Sequence, residues 1–322
     1  MPRHLALALT AAVPVVALVT ACGGSADPGS TAPTTSTSVQ GAAPPTSAER
    51  PAGSSGTQPA AAATSGGTGA STAPTAAVPV RAPQGALPGE HVHGLTRAGD
   101  GTILLATHDG AYRGTPGGWE KVSPSVDLMG FVAVGPTLYA SGHPGQGSDL
   151  PNPVGLLQST DQGKTWTSMS RAGESDFHAL GAGKGLIAGF DGRLRISTDA
   201  KSWTDVQIPA APFGLAVSPD GTRIIATTRQ GALTSTDRGA TWAEASGTQP
   251  ALAGFASDGM VYGLASDGAL TASHDGGTTW AATGVTVSQP VAFAVTASGE
   301  ILVATAQGVV SSTDGGKTTH PA

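Results

Sequence analysis

Four segments of this chain nearly superimpose: STDQGKTW at 159–166, STDAKSW at 197–203, STDRGATW at 235–242 and SHDGGTTW at 273–280. A fifth, STDGGKTT at 312–319, keeps all but the tryptophan, and GTPGGW at 114–119 sits where a worn copy would fall. Ser159, Ser197, Ser235, Ser273 and Ser312 follow one another at intervals of 38 or 39 residues. A repeat of that length is one supersecondary unit, which becomes stable only by stacking on its neighbours.

A second periodic feature counts the units independently. A triplet of any residue, then Gly or Ala, then Leu or Phe, occurs six times: His93-Gly94-Leu95, Met129-Gly130-Phe131, His178-Ala179-Leu180, Phe213-Gly214-Leu215, Ala253-Gly254-Phe255 and Val291-Ala292-Phe293. Short β-rich runs follow, such as TILLATH, RIIATTR and EILVATA, each closed by a glycine-containing turn. Six units of four strands predict an all-β chain folded as a six-bladed β-propeller.

The Ser-x-Asp segments resemble the Asp-box, or BNR repeat, with pattern S-x-D-x-G-x-T-W. The resemblance implies a turn between the third and fourth strands of each blade. Its carboxylate accepts turn N–H bonds, its glycine adopts a conformation other residues resist, and its tryptophan packs the next blade. Asp161, Asp199, Asp237, Asp275 and Asp314 are therefore read as structural.

Ahead of the repeats the chain changes character twice. Residues 1–21 read as an export signal: Arg3 and His4, an apolar run too short to span a membrane, then VTAC ending at Cys22. VTAC resembles the bacterial lipobox, which implies a lipid on Cys22, the chain's one cysteine. Residues 22–85 are almost entirely Ala, Thr, Ser, Pro and Gly, and read as a disordered tether. The expectation is a propeller over 86–322, exported and lipid-anchored to the outer face of the bacterial cell membrane. A formal net charge of −6 without a basic cluster argues against a nucleic-acid partner.

The chain has eight histidines, and the repeat register sends five of them to one place. In a propeller the innermost strand starts at the channel mouth where the second strand ends, away from the third-to-fourth turns. The first triplet position and the residue two before it share one side of a strand. They are His91 and His93, Asp127 and Met129, and Asp176 and His178 in blades one to three. Blades four to six give Ala211 and Phe213, Ala251 and Ala253, and Gln289 and Val291. The second-strand ends add His108 and His143. One half of the mouth is thus lined with metal-ligand residue types and the other is mostly apolar. The remaining three histidines are His4 in the signal, His274 in a repeat turn and His320 at a C-terminus expected to fray.

Imidazoles with carboxylates favour zinc, whereas a thioether from Met129 would favour copper. His91, His93 and His178 are the expected first ligands, with His108 and His143 as further ligands or their supports. A histidine-lined pocket for an organic or anionic ligand, and plain packing, are the competing readings. Blade two also carries a long loop at this mouth, SGHPGQGSDLPNPVG at 141–155, whose Asp149 and Asn152 make it a candidate lid.

HVHGL, ATHDG, DLMGF, ASGHPG, DLPNP and DFHAL resemble a bacterial lipoprotein family that carries a glycosylhydrolase label. That resemblance implies hydrolysis, for which Asp127 and Asp176 are the carboxylate pair that the register brings to the mouth. The Arg triad and F-R-I-P-like motif of sialidases are not matched, and Tyr112, Tyr139 and Tyr262 lie on predicted strands. Asp-box propellers also include photosystem assembly factors and sorting receptors, so a peptide-binding scaffold is the third class. Partners under these readings are a metal, a glycan or a peptide.

Overall fold

The structure, a computed structural model, describes residues 81–89 and 91–322. The expected signal, Cys22 and most of the tether lie outside the described residues, as does Glu90.

Among the described residues, twenty-five strands form six sheets in chain order, antiparallel apart from one short parallel pair in blade five, and the protein is a six-bladed β-propeller. The innermost strands are Val92–Arg97, Val126–Val134, Ala179–Gly183, Pro212–Val217, Leu252–Phe255 and Pro290–Val295. Each blade then runs outward through three further strands, and Ser246–Gly247 adds a short fifth strand to blade five.

The core lies between blades, because each sheet buries its faces on its two neighbours. Leu95 and Ile103 of blade one pack with Ala292, Leu302 and Val309 of blade six, which closes the ring. The Arg97 guanidinium grips Glu300 of blade six with two hydrogen bonds of 2.7 Å, both side chains largely buried. Residues 82–85, assigned above to the tether, pack on blade six. Ala82 is buried, its N–H donates to the carbonyl of Ala322, and Gln84 bridges to Gly308. His320 does not fray: His320–Pro321 is the outer strand of blade six, paired with Val310 and Ser311.

The small middle residue of the triplets has a steric cause. A Cβ on Gly94 would meet Phe131 of blade two at 2.9 Å, and one on Gly254 would meet Val295 of blade six at 2.9 Å. At Gly130 it would come within 2.1 Å of the Phe177 carbonyl oxygen at the edge of blade three. At these three positions the neighbouring blade leaves no room for a Cβ, whereas blades three and six carry Ala179 and Ala292 there.

All five Ser-x-Asp segments form one kind of turn between third and fourth strands. In blade five, Asp275 accepts from the N–H groups of Thr278 and Thr279 and from the Thr279 hydroxyl, at 2.7–3.0 Å, while Ser273 Oγ accepts from Gly277 N–H. The residue after each aspartate is left-handed, with Gln162, Ala200 and Arg238 at φ near +60°. These bonds hold the Asp161, Asp199, Asp237 and Asp275 carboxyls down at about 2, with Asp314 depressed as well. The tryptophans correct one expectation, since they pack toward the preceding blade. Trp203 Nε1 donates to Ser170 of blade two, and Trp242 Nε1 donates to the carbonyl of Gln207, just past blade three. Each turn follows the third strand outward and folds back over the sheet already laid down.

A folded carboxyl value below the unfolded one contributes stability that is present above pH about 4 and lost as pH falls toward 2. Asp275→Ala should lower the melting temperature at neutral pH by about 2–4 °C, as loss of a capping carboxylate does. Melts of the variant and wild type at pH 7, 4 and 2 check this, and the difference should shrink at the lowest pH.

Candidate functional site

The six innermost strands surround a channel with a cavity of about 560 Å³. All six first triplet residues line it: His93, Met129, His178, Phe213, Ala253 and Val291. In four blades this residue is the extra one of a β-bulge. The ladder slips between Val92 and Gly94, Leu128 and Gly130, Pro212 and Gly214, and Pro290 and Ala292. A bulge re-aims one side chain without breaking the sheet. Here it turns His93, Met129, Phe213 and Val291 toward the same end of the channel. The bulges have no sequence signature beyond the triplet itself.

The five expected histidines all lie in this arc, and four of them sort into two groups. His93, His108 and Asp127 bring one donor atom each within 4.8 Å of one another, and so do His143, Asp176 and His178. His91 belongs to neither group. It is exposed, and its ring lies 5.0 Å from that of His108 and 6.5 Å from that of His93. The three expected first ligands are therefore divided, with His93 in one cluster, His178 in the other and His91 beside them. Met129 lines the channel from blade two, which contributes a residue to each cluster.

Both clusters straddle a blade boundary. Asp127 and His143 are register partners on adjacent strands of blade two. Yet Asp127 faces His108 of blade one, with His108 Nδ1 2.9 Å from its Oδ1. His143 faces blade three, with its Nε2 3.0 Å from Asp176 Oδ2, and His178 Nε2 is 2.5 Å from the same oxygen. His143 Nδ1 lies 2.8 Å from Asn152 Oδ1. With the amide oxygen there, Nδ1 is the donor, which leaves the Nε2 of a neutral His143 as a lone pair aimed at a carboxylate. A cation between the two atoms would satisfy both.

The segment carrying Asp176 and His178 is held from beneath. Arg171 reaches Ser175, Ser175 donates to Asp191 at 2.5 Å, and Arg195 clasps Asp191. The expected lid residues Asp149 and Asn152 are both exposed, and Asn152 reaches the site through His143. Glu174 pairs with Arg171 at 3.3 Å.

Three buried atoms in this arc have no hydrogen-bond partner: His93 Nε2, Asp127 Oδ1 and Asp176 Oδ1. Asp127 Oδ1 is near His108 but off the line of a hydrogen bond. Orphaned buried polar atoms are uncommon and mark a missing partner. Burial, reinforced by His108, pushes His93 down to about 4, while Asp127 pulls the other way. Its imidazole is neutral at pH 7 and offers a lone pair. His178 is raised by its hydrogen bond to Asp176, against burial.

The two shifts have opposite consequences for the metal-free protein. His93 binds its proton less well folded than unfolded, so its contribution is complete above pH about 6.5 and falls away between 6.5 and 4. His178 contributes below 6.5 and loses that contribution as pH rises past its folded value. His93→Gln should flatten the stability decline between pH 6.5 and 4, measured by urea unfolding with chelator present.

No family model matches the sequence, and no curated protein matches it. Solved structures match by fold. A chain of the nidogen/laminin complex aligns with TM-score 0.50 and 12% identity over 65% of this chain and 88% of that one. The extracellular domain of a hybrid two-component system from B. thetaiotaomicron gives TM-score 0.50 and 11% identity, over 75% of this chain and 34% of that one. An ancestral GH74 enzyme aligns with TM-score 0.47 and 14% identity over 73% of this chain. The chain spans 38% of that enzyme's length. The likeness is one of fold.

Proposed function

We propose that this propeller is a metal-binding protein that holds zinc at the histidine-rich half of its channel mouth, one ion in each cluster. The observation that carries the reading is the sorting itself. Six ligand-type side chains from three blades fall into two sets of two imidazoles and one carboxylate, leaving buried donor atoms unpartnered. Two nitrogens and one carboxylate oxygen, with a fourth position open, suit zinc in a reactive rather than a sealed structural site. Met129 is the residue that would favour copper, but the donor sets close without its sulfur. Asn152 on His143 is the kind of outer support that fixes a ligand's tautomer. With Cys22 lipidated and the preceding residues removed, the domain would work outside the cell on a membrane tether.

Glycoside hydrolysis would employ the same two carboxylates, Asp127 and Asp176. Both face imidazoles, which favours ligation over a free acid and base. The protein-binding scaffold reading has no equally specific support.

Elemental analysis of the full chain, purified without chelator or polyhistidine tag, tests the proposal. About two zinc ions per chain are expected, falling to about one in His93→Ala/His108→Ala. A wild-type protein that remains empty after exposure to zinc and to copper overturns the metal reading.

A further inference from the structure

The mouth has a second half that the metal does not use. Phe213 and Val291 are the large hydrophobic side chains left exposed among the described residues, at 48% and 49%. Both are bulged residues, placed by the same device that aims His93 and Met129. Both line the same cavity as His93 and His178. Below the rim, the third triplet residues Leu95, Phe131, Leu180, Leu215, Phe255 and Phe293 line the channel. No Asp, Glu, Lys or Arg side chain lines it among the described residues, and Thr96 and Thr227 are its hydroxyls. The side chains that line the cavity are thus mostly hydrocarbon, with main-chain polar groups exposed between them and imidazoles on one side of the opening.

That division selects a ligand class. A sugar needs a hydrogen-bond partner for each hydroxyl it buries, and burying one without a partner is costly. Among the lining side chains, Thr96, Thr227 and the imidazoles are the groups that could supply them. An apolar body gains from the cavity and from covering Phe213 and Val291. The volume falls within the range of small-molecule sites, about 300–1,000 Å³. A zinc ion with an open position takes an anionic oxygen.

We infer that the site binds a small amphiphilic monocarboxylate, its head at the histidine-rich arc and its unbranched apolar body across Phe213 and Val291 into the channel. The position of the head rests on the metal reading, whereas the position of the body rests on the apolar lining alone.

The test is calorimetric titration of the full chain with acetate, butanoate, hexanoate and octanoate, with hexanol as a headless control, in zinc and again with chelator. Affinity is expected to rise about fourfold per methylene, the value of one buried methylene group. Hexanol should bind more weakly than hexanoate in zinc. Phe213→Ser/Val291→Ser changes two exposed side chains, so it should fold, keep its zinc content and lose most of the chain-length dependence. Octanoate binding no tighter than acetate, or an unchanged slope in the double variant, overturns the inference. Failure to take up zinc sinks the metal reading alone, because the slope measured with chelator still decides the ligand class.

Discussion

Gly130→Ala is expected to lower the melting temperature by about 6–12 °C. The added Cβ would sit 2.1 Å from the carbonyl oxygen of Phe177 and 3.1 Å from Leu180 Cβ, both belonging to blade three. A side chain in the way could rotate, but a carbonyl cannot move without its strand. Overpacking a tight interior costs about 1–3 kcal/mol, and a clash with backbone belongs at the upper end. In a domain of this size each kcal/mol shifts the melting temperature by about 2–4 °C. The same displacement should disturb the site, since Phe177 immediately precedes His178. Gly94→Ala offers a milder case, because its nearest obstacle is Phe131 Cβ at 2.9 Å rather than a carbonyl oxygen at 2.1 Å. Differential scanning calorimetry of the two variants separates the cases. A wild-type melting temperature for Gly130→Ala would show that blades two and three part easily at this seam.

On the proposed two-ion reading, Asp176→Ala removes one zinc ion and leaves the other in place. Its carboxylate is the one atom group that both His143 and His178 approach, so without it the second cluster holds two imidazoles and no anion. Losing the outer support of a ligand typically weakens metal binding 10–100-fold, and losing a ligand should exceed that. Asn152→Ala is expected to fall in the smaller range, because it frees the His143 ring without removing a donor. Zinc titrations against a competing chelator measure both. If Asp176→Ala binds two ions as tightly as wild type, the cluster is an ion pair and nothing more. The double variant Asp127→Ala/Asp176→Ala should bind none.

The histidine-rich arc was legible from register alone, because the first triplet residues recur at the start of every innermost strand. How those residues pair was not legible. Asp127 and His143 sit opposite each other within blade two, so a reading within one sheet would join them. The structure instead turns each toward a different neighbouring blade. Nothing within one repeat specifies that choice. It depends on how far adjacent sheets rotate about the ring and on bulges that the ladder absorbs. The tryptophan direction escaped the sequence for the same reason, since a turn that closes outward can cover either neighbour. So did residues 82–85, whose small and polar composition resembles the tether but whose backbone groups find partners on blade six.

By itself the sequence determined the number of blades, the frame of the strands within each, the turn role of the five aspartates and the half of the mouth where ligand residues gather. These are properties of a single repeat, and periodicity carries them. Only the tertiary structure decided that the ligand-type residues form two sets, that Asp176 faces two imidazoles, and that a cavity lined largely by apolar side chains opens beside them. Those features arise between blades, where contacts join residues that no local pattern links.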